Sequence, residues 1–137
     1  MRKILFLAAN PQRLTHFRLD EENREIREGL QRAQYRNSFR ISQRWATRPR
    51  DLLRAVQEEL PQIIHFSGYI EGKSGLYLED SEGKPQLITG YALGSLFRLV
   101  TQRVKIDCVI LNGCYSQSQS QNIAEHIPYV IGISQPV

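Results

Sequence analysis

Apolar residues fall along this chain in short blocks, and between them run polar stretches whose apolar positions recur at helical spacing. Lys3 to Ala9 (KILFLAA) is a continuous apolar run of the kind buried on both faces of a parallel sheet, and Asn10-Pro11 ends it. A loop through Phe17 leads to a helix from Leu19 to about Gln34. Leu19, Ile26, Leu30 and Ala33 fall on one of its faces, and Asp20, Glu21, Glu22 and Glu25 suit its positively polarised N-terminal end. Phe39 to Ala46 (FRISQRWA) turns Phe39, Ile41 and, less cleanly, Trp45 inward, as a sheet-edge strand does. Thr47 is placed to cap a second helix, with Pro49 in its first turn and Leu52, Val56 and Leu60 as its buried stripe.

Pro61 breaks that helix, and Gln62 to Ser67 (QIIHFS) reads as a third strand ending at Gly68. Between Gly75 and Ile88, two apolar stretches flank the turn Asp80-Ser81-Glu82-Gly83-Lys84, which predicts a small hairpin projecting from the sheet. Thr89 can cap a helix reaching Gln102 with Leu93, Leu96, Phe97 and Val100 buried, and Asp107 to Asn112 (DCVILN) is a fourth strand. The polar stretch from Gly113 to Gln121 contains Cys114. A last short helix with Ile123, Ala124 and Ile127 then leads through Pro128 to a fifth strand, Tyr129 to Ser134. The expectation is an α/β domain with a doubly wound, mainly parallel sheet and right-handed crossovers. In such a sheet the working crevice lies outside the carboxyl ends of the strands, here the loops after Ala9, Ser67 and Asn112.

The length of 137 residues suits one domain over 1–137. No apolar run approaches the roughly 20 residues that a membrane span needs. The opening Met-Arg-Lys followed by Ile4 to Ala9 imitates a signal peptide, but it runs into charged sequence without the rest of that signature. Two cysteines, Cys108 and Cys114, are too few for a disulfide framework, and no histidine or cysteine stands at zinc spacing near them, so no metal and a reducing cytoplasm are expected. The net charge of +4 is uneven: residues 1–54 carry 13 Lys/Arg against 6 Asp/Glu, and residues 55–137 carry 5 against 8. The arginines alternate with carboxylates and lack interleaved aromatic rings, which favours a solvated face over a nucleic-acid surface.

The strand-end loops narrow the chemistry. Ala9-Asn10-Pro11-Gln12-Arg13 is not the glycine-rich turn that a dinucleotide or P-loop nucleotide requires, so no cofactor is expected. The acidic cluster of a magnesium-dependent receiver domain is absent as well. Cys114, just past a central strand, is the stronger signal: a thiolate there lies beside backbone N–H groups suited to an oxyanion, but it needs a base to lower its pKa. If the third and fourth strands are neighbours, about 4.8 Å apart, the turn Gly68-Tyr69-Ile70 faces that cysteine.

Across nearly its whole length the chain resembles the CHAT domains of the caspase-like (clan CD) cysteine peptidases. The resemblance rests on ILFLAANP, LDEENREIREGLQRA, RWATRPRDLLRAV, IIHFSG, GLYLED, and ILNGCYS followed by EHIPYVIGIS. It implies a caspase-hemoglobinase fold with flavodoxin-like strand order and, in active members, a dyad of a histidine in a Gly-His-Gly turn after the third strand and a cysteine after the fourth. Cys114 matches that nucleophile. At the histidine position stands Tyr69, followed by Ile70. A phenol with a pKa near about 10 does not replace the imidazole's proton exchange at neutral pH. Family members also continue past the fifth strand, so the chain is either a piece of a larger protein or a curtailed fold.

Other crevice residues expected from this reading are Asn10, His16, Ser67, Gly68, Asn112 and Gly113. His16 lies in a loop opening on the same crevice and is the candidate substitute base. His65 is set back about 13 Å along the strand at 3.3 Å per residue and is expected to pack against a helix; His126 suits a helix end, and Cys108 the core. The leading expectation is a catalytically impaired caspase-like domain that binds a protein or peptide in bacterial signalling or defence, with the fifth strand offering an unpaired edge for homo-oligomers. A cysteine endopeptidase using Cys114 with a non-standard base, and a small-ligand sensor, are the alternatives.

Overall fold

The computed structural model describes residues 2–9, 19–45, 48–68, 70–71, 75–112 and 117–132. Five strands, β1 (Arg2–Ala9), β2 (Phe39–Arg44), β3 (Ile63–Gly68), β7 (Cys108–Asn112) and β8 (Tyr129–Ile131), form one sheet in the order β2-β1-β3-β7-β8. Every pairing in it is parallel. The expected hairpin is present as β5 (Gly75–Glu79) and β6 (Pro85–Ile88), and β4 (Ile70–Glu71) completes a separate antiparallel sheet of order β4-β5-β6. The helices are α1 (Leu19–Arg32), α2 (Pro49–Glu59), α3 (Gly90–Val100) and α4 (Gln117–Ala124).

Successive side chains of a strand point to opposite faces, and the two faces of this sheet are filled differently. Leu5, Leu7, Ile64, Phe66, Val109 and Leu111 meet residues from α2, α3 and α4, including Val56, Leu93, Phe97 and Ile123, in one continuous apolar core. On the other face Phe6 and Ala8 are buried with the partly covered Ile26 of α1 and Ile41 of β2. Helices on both faces of a parallel sheet make this a doubly wound α/β fold.

Beyond α1 the second face continues uncovered among the described residues. Ile63, Cys108, Pro128, Tyr129 and Ile131 line a groove of about 710 Å³. Tyr129 is 71% and Ile131 55% exposed, and β8 pairs only with β7 among the described strands.

Element ends depart from the sequence expectation in several places. α1 stops at Arg32, two residues early; β8 spans Tyr129–Ile131, and the last part of the expected strand, to Ser134, lies outside the described residues. Trp45 lies past the end of β2, 44% exposed, with its ring tilted against Phe6 at 5.7 Å. The N-cap of α2 is Arg48, not Thr47, which is outside the described residues: Asp51 accepts from the Arg48 backbone N–H at 3.2 Å and from its Nε at 2.9 Å. Leu60 is not part of the buried stripe. It takes a left-handed conformation, φ 49° and ψ 56°, that ends α2, and stands 51% exposed, leaving Leu52, Ala55 and Val56 buried. Thr89 caps α3 as expected, its Oγ1 accepting from Ala92 N–H at 3.1 Å, whereas Leu96 is only half-buried and Ala124 exposed.

Candidate functional site

Parallel strands bring their carboxyl ends to one edge of the sheet. The register aligns Ala9 with Gly68 and Ser67 with Asn112, so the ends of β1, β3 and β7 stand side by side. The connection from β1 runs to β2 on one side, and the chain then returns past β1 to β3. This reversal between β1 and β3 is where ligands bind in open α/β sheets. Gly68 lies at that point, and a Cβ added there would press into the carbonyl oxygen of Ala9. The two strand ends approach so closely that only glycine fits.

The third and fourth strands of the sequence reading, β3 and β7, are paired neighbours. Of the expected site residues, the structure brings Ser67, Gly68 and Asn112 together at this edge. Asn10, His16, Tyr69, Gly113 and Cys114 lie outside the described residues. Tyr69 follows Ser67 by two positions in sequence and Cys114 follows Asn112 by two.

The side chain that organises the described part of the site is Glu22 on α1. Its Oε1 accepts from His65 Nε2 at 2.7 Å and from Asn112 Nδ2 at 2.7 Å, and its Oε2 accepts from the Ser67 hydroxyl. One carboxylate thus gathers two residues of β3 and one of β7. Ser67 is fully buried and His65 is 15% exposed, its ring stacked on Phe6 with centroids 5.3 Å apart. Burial raises the energy of the charged carboxylate. The bonds from His65, Ser67 and Asn112, with the attraction of His65, outweigh that and hold the Glu22 carboxyl below its ordinary range.

This geometry limits the chemistry. A nucleophile–base pair needs a hydrogen bond between the two groups. His65 Nε2 and the Ser67 hydroxyl both address Glu22, so the trio is a clamp and not a hydrolytic relay. His65 packs beneath α1, as its position in the strand predicts, and its Nε2 is engaged there. His126 sits in the turn after α4 that leads into the amino end of β8, at the opposite edge of the sheet. Cys108, expected in the core, is instead only partly covered on the bare half-face, and burial together with Asp107 pushes its thiol above the ordinary range. Among the described residues no His, Cys, Asp and Glu side chains cluster as metal ligands. No helix among them is long and apolar enough to cross a membrane.

Sequence reasoning assigned Glu22 to the helix dipole alone. A signal for its second role was present: His65 and Ser67 alternate with Ile64 and Phe66 in a buried strand, so one face of that strand carries donors that need an acceptor. Glu22 lies four residues before Ile26, on the face of α1 that meets the sheet.

Compared with known proteins, this α/β domain matches no family model. It is similar to a probable protease from Gillisia limnaea, 22% identical over 132 residues, an alignment that covers 96% of this chain. The chain spans 23% of that relative's length.

Proposed function

We propose that this chain is a caspase-like domain of the CHAT kind that has lost peptidase chemistry and works by binding a protein or peptide at the carboxyl edge of its sheet, in bacterial signalling or defence. The pairing of Ser67 with Asn112 carries this reading. It makes the strands that precede Tyr69 and Cys114 direct neighbours, the relationship that the dyad of active members requires. On the β3 side of that relationship the sequence offers a phenol. His65, the histidine on the same strand, is engaged by Glu22. The strand order β2-β1-β3-β7-β8 also fits the flavodoxin-like order of the caspase-hemoglobinase fold. The edge of β8, unpaired among the described strands, offers a second place for a protein partner or another copy of the chain.

The similarity to a protein named as a probable protease favours a second reading, a cysteine endopeptidase that uses Cys114 with a base other than Tyr69. Incubation with a library of quenched fluorescent peptides separates the two. The binding reading expects no turnover, and labelling of Cys114 by peptide electrophiles no faster than that of a free thiol. Turnover abolished by Cys114→Ser, with His16→Ala testing the substitute base, would establish the peptidase instead.

A further inference from the structure

The layer formed by α1 is built unlike the opposite one. There, three helices contribute a continuous apolar core. Under α1 the buried apolar cluster of described residues is Phe6 and Ala8, with Ile26 and Ile41 beside it and the rings of Trp45 and His65 against Phe6, and polar contacts join it. Toward β2, Gln43 Oε1 accepts from Asn23 Nδ2 at 3.0 Å and from Arg27 Nε at 3.1 Å. Toward β3 and β7, Glu22 of α1 holds His65, Ser67 and Asn112. Among the described residues, Asn23 Oδ1, buried in the same interface, has no hydrogen-bond partner. An apolar patch this small contributes little by area, so the seat of α1 depends on its polar contacts to a degree that α2 and α3 do not.

We propose that Glu22 is a latch that docks α1 onto β3 and β7, and that removing its carboxylate releases α1 from the sheet as a unit while the opposite layer stays folded. Release bares Phe6, Ala8, Ile41 and the Ser67 hydroxyl on the face of the sheet under α1. The latch weakens in acid without opening fully. A protonated Glu22 still accepts from His65 and Asn112 through one oxygen and donates to Ser67 through the other, but it loses the charge that strengthens those bonds. Among the described residues, the groups facing the carboxylate are His65 and the Ser67 hydroxyl from β3 and the neutral amide of Asn112 from β7; β1 presents Phe6 and Ala8, and the nearest carboxylates in sequence on α1 are Glu21 and Glu25.

Amide hydrogen exchange, resolved by peptide and expressed as protection factors, tests this. In Glu22→Ala at neutral pH, protection in α1 is expected to fall at least tenfold more than protection in α2 and α3. Glu22→Gln, which preserves the shape and can keep three hydrogen bonds, is expected to restore most of that protection and to lose the weakening that the parent shows between pH 5 and 3. Asn112→Ala, which leaves the carboxylate in place but removes its β7 partner, is expected to lower α1 protection by a smaller factor, and it serves if Glu22→Ala does not fold. Equal loss across α1, α2 and α3 in these variants would overturn the latch in favour of uniform destabilisation. Unchanged α1 protection would overturn it outright.

Discussion

Glu22 and Asn112 stand 90 positions apart in sequence and are joined by a 2.7 Å hydrogen bond, Asn112 Nδ2 donating to Glu22 Oε1. The contact links the helix after the first strand to the end of the fourth, across the site that β3 and β7 frame. Removing the carboxylate also strands the buried hydroxyl of Ser67. Glu22→Ala is therefore expected to cost about 2–4 kcal/mol of unfolding free energy, and Glu22→Gln distinctly less. Urea titrations of the two variants check this; equal costs would mean that the hydrogen bonds contribute nothing beyond the charge.

Acid should erode the contribution of that carboxylate. Its folded pKa lies below the ordinary glutamate value of about 4.3, so the stabilisation is complete above that value and is lost as pH falls through it toward the depressed folded one. Asp51 beside Arg48 and Asp80 under the Lys84 backbone N–H are shifted in the same direction. Comparison with Glu22→Gln isolates Glu22: the stability difference between parent and variant is expected to shrink from pH 6 to pH 3. A constant difference would remove Glu22 from the acid response.

Two glycines should respond oppositely to alanine. Gly75 has φ +138°, and a Cβ there would collide with the Ile88 carbonyl across the β5–β6 pair, so Gly75→Ala is expected to destabilise by about 1–3 kcal/mol. Gly29, on the exposed side of α1, has open space where an alanine methyl would stand, with nothing within 4 Å, and Gly29→Ala should stabilise by about 0.5–1 kcal/mol through helix propensity. Thermal melts read both signs.

Leu60 occupies the left-handed position that closes α2, with its N–H bonded to the Val56 carbonyl at 3.0 Å. Glycine reaches that conformation without the steric cost that a leucine Cβ incurs. Leu60→Gly is expected to raise the stability by about 1 kcal/mol, seen as a higher urea midpoint. A lower midpoint would show that the half-covered leucine side chain contributes more than its backbone loses.

Cys108 should react slowly. Its raised pKa leaves little thiolate at pH 7, and alkylation monitored by peptide mass is expected to lag behind that of a small free thiol and to accelerate as pH rises. Rapid modification at pH 7 would contradict the raised pKa of this thiol.

Much of the architecture was legible because burial writes itself into spacing. The unbroken apolar run of β1, the stripe of Leu93, Phe97 and Val100 on α3, and the turn between β5 and β6 each have one favourable arrangement. Legibility failed where the deciding interaction is distant or belongs to the backbone. The donors on β3 and the placing of Glu22 on the sheet side of α1 signal an acceptor there, but nothing in the spacing assigns it to Asn112, 90 residues away. Leu60 reads as one more apolar position at helical spacing until Pro61 and the reversed backbone are seen together. Cys108 looks like core because its strand is apolar, but only one face of that strand is covered by a described helix. Of the candidate site, the strand ends at Ala9, Gly68 and Asn112 were readable, whereas their register and the clamp beneath them required the fold.

The half-covered sheet also affects how the protein behaves at the bench. Tyr129 and Ile131 present a greasy strip beside the groove even when every helix is in place. Environment-sensitive dyes such as ANS should brighten on the fully native protein, so a rise in their fluorescence, commonly taken as a mark of loosened packing, is a poor gauge of unfolding for this chain.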